Sequence, residues 1–103
     1  VVKHLTSKNF DEFISEGRCV VDFHADWCGP CKIVSPIIEK LSEEKKDIKF
    51  GKVDVDKENE LAQRFYVMSI PTMIFFKDKN QVDRHTGTLS KEELASKIEK
   101  IKK

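Results

Sequence analysis

The sequence predicts an α/β protein with a central five-stranded mixed sheet flanked by four helices. Three observations predict it. Short β-prone runs alternate with apolar residues at helical spacing. The last two β-prone runs are parted only by a short polar turn, which makes them antiparallel neighbours. Two of the runs are almost wholly apolar, as strands covered on both faces are.

Val1 to Leu5 is the first β-prone run. Phe10, Phe13 and Ile14 then recur at i, i+3 and i+4, after a cap among Thr6, Ser7 and Asn9, and predict a short helix. Cys19 to Phe23 is the second strand. Val34, Ile37, Ile38 and Leu41 form a wider stripe that ends in the charged stretch Glu43 to Asp47 and predicts a long helix. Ile48 to Val55 is the third strand, and Leu61, Ala62 and Phe65 give a short helix after Asp56. Met73 to Phe76 and the more polar Val82 to Thr86 are strands four and five. In the turn between them, Asp78 to Gln81, Asn80 is the residue best able to take positive φ. Leu94, Ile98 and Ile101 line one face of a last helix. Ser90 and Glu93 form its capping box, and its Lys-rich end suits the helix dipole.

The order is β-α-β-α-β-α-β-β-α. Its alternating first half calls for right-handed crossovers and parallel strands. Cys19–Phe23 and Met73–Phe76, the most apolar runs, are expected at the centre of the sheet.

With 103 residues, no linker and no internal repeat, residues 1–103 read as a single domain. Nineteen Lys and Arg against 18 Asp and Glu leave a net charge of +1, so no global field draws in nucleic acid or an anionic membrane. The longest wholly apolar stretch, Met73 to Phe76, is far too short to span a bilayer. Val1 to Leu5 has neither the apolar core nor the cleavage site of a secretory signal, and the expected compartment is the cytoplasm. Three cysteines are an odd number, which argues for redox chemistry or metal binding over structural stapling.

Cys28-Gly29-Pro30-Cys31 follows directly on the second strand and opens the long helix. A helix N-terminus presents unpaired N–H groups and positive dipole charge, which stabilise a thiolate. Cys28 is therefore placed to be a nucleophile. Cys31 lies one helical turn further on, close enough to form a disulfide with it. Gly29 allows a tight turn, and Pro30 suits the first helical turn, where its missing N–H would be unpaired anyway. Trp27 can cover one side of the pair. Half of a zinc site is an alternative, but zinc takes four ligands. Only Cys19, His4, His24 and His85 remain, and none makes a second close pair, so no metal site is expected. A purely structural disulfide is another alternative, although so short a loop restrains the unfolded chain little.

Asp22 interrupts an apolar strand, where burial should raise its pKa. Lys52, in the third strand, is placed to offset its charge. Asp22 and His24 point to the same face of their strand, so His24 is able to couple to Asp22 or to the thiolate. Cys19 reads as a buried small hydrophobe.

Val20-Val21-Asp22-Phe23-His24-Ala25-Asp26-Trp27-Cys28-Gly29-Pro30-Cys31-Lys32 resembles the active-site segment of the thioredoxin family. The likeness extends to Ile70-Pro71-Thr72 before strand four, Lys52, Gly87 at the end of strand five and Pro36 within the second helix. The resemblance implies a general protein-disulfide reductase cycling between a Cys28/Cys31 dithiol and a disulfide. Cys28 would attack, Cys31 would resolve, and buried Asp22 would serve as acid and base, modulated by Lys52. Trp27, Gly29, Pro30, Ile70, Pro71 and Gly87 would hold an extended client segment, with Pro71 in the cis form. The resemblance further implies a monomer with no bound cofactor, recharged by thioredoxin reductase using NADPH or by a ferredoxin-linked equivalent. Its partners would be that reductase and disulfide-containing client proteins. A protein disulfide oxidase or isomerase of the same fold is the nearest alternative. Such relatives usually carry a histidine between the cysteines, which Gly29-Pro30 does not supply. A non-catalytic binding subunit is a second. His24 departs from the family pattern, where an aromatic or small residue is common, and the turn at 78–81 lacks the family's glycine.

Overall fold

The computed structural model describes residues 1–103. Nine elements follow one another: β1 (Val2–His4), α1 (Phe10–Ile14), β2 (Arg18–His24), α2 (Gly29–Glu44), β3 (Ile48–Asp54), α3 (Asn59–Arg64), β4 (Thr72–Lys77), β5 (Asn80–Thr86) and α4 (Lys91–Glu99). The five strands form one mixed sheet in the order β1-β3-β2-β4-β5. β1 and β2 run parallel to β3, while β4 runs antiparallel to both β2 and β5.

Strand alternation splits the core in two. Cys19, Val21 and Phe23 of β2 face a layer containing Phe10 and Ile14 of α1 and Leu61 of α3. Val20 faces the opposite layer, built on Val34, Ile38 and Leu41 of α2 and Leu94 and Ile98 of α4. Phe10, Phe65 and Phe76 stack with ring centroids 5.1 to 5.9 Å apart, within the range of favourable aromatic pairs. Both strands expected at the centre are interior, and β3 joins them there because β1 pairs along its outer side.

The helix ends follow their local chemistry. Ser90 Oγ accepts from the Glu93 N–H, and the Glu93 carboxylate accepts from the Ser90 N–H, closing the capping box of α4. Asn9 stands at the N-cap of α1 but bonds backwards: its Oδ1 accepts from the Thr6 N–H at 2.7 Å, shaping the preceding turn.

The hairpin differs from expectation. β5 begins at Asn80, which pairs with Lys77, leaving a two-residue loop. Positive φ falls on Asp78 (46°) and Lys79 (80°), and Asn80 lies in the strand. The right-handed twist of paired strands is matched by a loop with two left-handed residues, so pairing register overrode residue preference.

Candidate active site

The central strand β2 ends at His24, and four residues later the chain enters α2. That short connection puts Cys28 at the N-cap of α2 with extended backbone (φ −86°, ψ 109°). Its Sγ accepts the Cys31 N–H at 3.2 Å, filling the role an N-cap oxygen plays elsewhere. A disulfide joins Cys28 to Cys31, whose Cα atoms are 5.3 Å apart. Both cysteines are buried, packed with Ala25, Val55 and Ile70. Pro36 interrupts the middle of α2, beyond the segment that carries the site.

Asp22 sits between Lys52 of β3 and Met73 of β4 in the sheet register. It is only 3% exposed, and its Oδ1 has no hydrogen-bond partner. Burial pushes its carboxyl up to about 7, with the Lys52 charge pulling the other way. Lys52 borders the same cavity as Asp22 and Cys31, but no ion pair joins the two. A carboxyl group of this kind is able to exchange a proton near neutral pH with the buried sulfur beside it.

On the other side of the cysteines lies an open cleft of about 470 Å³, lined mostly by apolar side chains. Trp27, Gly29, Pro30 and Ile70 line it. Trp27 is 70% exposed, and its Nε1–H donates to Asp56 at 2.9 Å, which fixes the ring at the rim. Pro71 and Gly87 do not line the cleft. They lie beside it, joined by the Gly87 N–H to the Pro71 carbonyl at 2.8 Å. The Ile70–Pro71 peptide bond is cis, and Gly87 holds φ at +97°.

Val55, Val67, Met68 and Ser69 also line the cleft, and no pattern in the sequence singles them out. Their one signal is adjacency: three of them immediately precede Ile70-Pro71. Arg84 of β5 donates to the carbonyls of Phe65 and Tyr66, tying the segment after α3 to the sheet.

Cys19 is remote from this chemistry. It is buried on the opposite face of β2, and its thiol donates to the Phe13 carbonyl at 3.6 Å. Burial pushes its pKa up, as for a packed thiol. No group of three His, Cys, Asp or Glu residues is spaced to hold a metal ion.

A sulfur pair that opens and closes at a helix N-terminus, next to an open apolar cleft, passes two electrons between itself and another disulfide. Proteins of that class are thiol–disulfide oxidoreductases. The comparisons specify the family. The Thioredoxin family model matches residues 1–100. Thioredoxin of Chlamydia pneumoniae is 45% identical over 97% of this chain and 98% of its own length. Thioredoxin of Staphylococcus haemolyticus is 48% identical over 93% of each chain. Among solved structures, Plasmodium falciparum thioredoxin superposes with a TM-score of 0.89 at 38% identity, covering 96% of this chain and 98% of that one. A mutant thioredoxin from Halobacterium salinarum also gives 0.89, at 33% identity over 94% and 87%. The chain belongs to the thioredoxin family and is a disulfide reductase acting on disulfide-containing proteins.

Proposed function

We propose that Cys28 is the attacking thiolate and Cys31 the resolving thiol of a general protein-disulfide reductase. The observation that carries this reading is the Cys31 N–H aimed at Cys28 Sγ at the start of α2, a contact that favours negative charge on that sulfur. Cys28 attacks a client disulfide and forms a mixed disulfide. Asp22 takes the proton of Cys31, modulated by the nearby Lys52 charge, and Cys31 then displaces the reduced client. An extended client segment lies along Trp27, Gly29, Pro30 and Ile70, with Pro71 and Gly87 at its edge, and its backbone pairs with the Ile70 peptide group.

Residues 1–103 act as one domain and as a monomer in the cytoplasm, holding no cofactor of their own. A separate thioredoxin reductase returns the electrons from NADPH. The test is insulin reduction coupled to NADPH oxidation by such a reductase. The parental protein should turn over, and Cys28→Ser should lose activity to background. Substantial turnover by that variant would contradict the assignment of the nucleophile. Failure of the parental protein to accept electrons from the NADPH enzyme would contradict the electron source.

A further inference from the structure

Two buried side-chain polar atoms in the chain lack a hydrogen-bond partner, Asp22 Oδ1 and His24 Nε2. Leaving a buried polar atom unpaired is costly, so two in one place ask for a reason. They are two residues apart in β2, which puts both side chains on one face of the sheet. Both residues line one cavity of about 190 Å³, and Cys31 lines it too. That space is polar and large enough for waters that bridge the two groups. His24 also borders a second cleft, shared with His4, Asp54 and Glu58. The imidazole therefore stands between the cavity next to the resolving sulfur and an outer cleft.

We propose that His24 is a positioning residue that relays the proton between Asp22 and solvent while the mixed disulfide is resolved. The proposal rests on the reading of Cys31 as resolving thiol and Asp22 as its base. In the step itself, the Cys31 S–H proton passes to the Asp22 carboxylate. The freed Cys31 sulfur pair forms the Cys31–Cys28 bond as the bond from Cys28 to the client sulfur breaks. The client leaves as a thiolate and is protonated from solvent. The protein dithiol is oxidised by two electrons, and the client disulfide is reduced by the same two. Burial pushes the Asp22 carboxyl up to about 7, so it must shed a proton before it can take that of Cys31, and shed one again afterwards. A bridging water hands the shed proton to one nitrogen of neutral His24, and the other nitrogen releases a proton outward.

The charges around His24 suit an acceptor. Lys52 and Asp26 face it across the inner cavity, with Lys32 of α2 and Asp22 itself. His4, Asp54, Lys57 and Glu58 face it across the outer cleft. Burial holds the imidazole below its ordinary pKa. Asp54 and Asp26 oppose that effect, while Lys52 and His4 add to it. The ring is thus neutral at physiological pH, the form that accepts a proton.

The test uses an aromatic disulfide whose released thiolate is coloured, in weak buffer. The first thiolate released reports attack by Cys28, and the second reports resolution by Cys31. In H24A and H24Q the first phase should keep the parental rate, which also shows an intact site. The second phase should slow about tenfold, as loss of a proton-transfer group does. Free imidazole should restore it in H24A in proportion to concentration, while leaving the parental rate unchanged. A second phase at the parental rate in both variants overturns the relay. Slowing that imidazole does not relieve overturns it as well, and makes His24 a packing residue. A parental protein with no second phase instead overturns the assignment of Cys31, so the two failures are distinguishable.

Discussion

A carboxyl group enclosed in the middle of β2 holds its proton more tightly in the folded chain than in the unfolded one. Asp22 is 3% exposed, and burial carries its pKa from an ordinary 3.8 to about 7. Below about pH 4 the group is protonated in both states, and its contribution to stability is complete. As pH rises, the unfolded chain ionises first, so stability falls until the folded carboxyl ionises near 7 and then levels off. The loss is on the order of 4 kcal/mol at full span. Asp22→Asn should therefore be more stable than the parental protein by a few kcal/mol at about pH 8, with the difference shrinking toward pH 4. Urea denaturation across that range checks it. A variant less stable at pH 8 would show that Asp22 acts as a structural hydrogen-bond acceptor. Asp22 was legible because a charged residue breaks an apolar run, and the cysteines were legible because a Cys-x-x-Cys meets a strand-to-helix junction. The Trp27–Asp56 bond was not, since 29 positions separate the partners and either residue alone reads as an exposed side chain.

At the level of elements, helical spacing located the four helices, and continuous apolar runs located β2 and β4, which are buried on both faces. What spacing did not carry was close local geometry. The β4–β5 loop is decided by pairing register, which placed left-handed backbone on Asp78 and Lys79. A left-handed lysine is strained by about 1–2 kcal/mol, part of which glycine gives back through a freer unfolded chain. Lys79→Gly should stabilise the protein by up to about 1 kcal/mol, read as a higher urea midpoint at unchanged slope. Its backbone N–H to Ile14 (2.8 Å) survives the change. A lower midpoint would mean that the lysine side chain carries the turn. Gly51 was equally silent in the sequence. A Cβ there would lie 2.6 Å from Leu5 Cδ1 and 3.1 Å from the Phe13 ring. Leu5 is buried and has little room to retreat. Gly51→Val should cost about 1–3 kcal/mol by overpacking, measured in the same denaturation assay. Unchanged stability would show that the α1 layer yields.

Across the whole molecule, the sheet order sets the site. β2 lies at the centre with β3 parallel on one side and β4 antiparallel on the other. The carboxyl end of β2 thus meets the start of α2, the β3–α3 connection carrying Val55 and Asp56, and the segment 67–71 that leads into β4. Three distant stretches of chain converge on one sulfur pair. This convergence explains why the sequence showed the cysteines but only part of the cleft. The pair is local in sequence, whereas the cleft exists only once the sheet is assembled. The proposed cycle divides the labour between the two sulfurs at this point. Its most direct measurement is adduct capture by intact-protein mass spectrometry, with each single-cysteine variant mixed with a disulfide-bonded peptide. Cys31→Ser should accumulate one peptide on Cys28 as a stable mixed disulfide, and Cys28→Ser should remain essentially unmodified over the same time. Comparable capture by Cys28→Ser, with the peptide mapped to Cys31, would contradict the account.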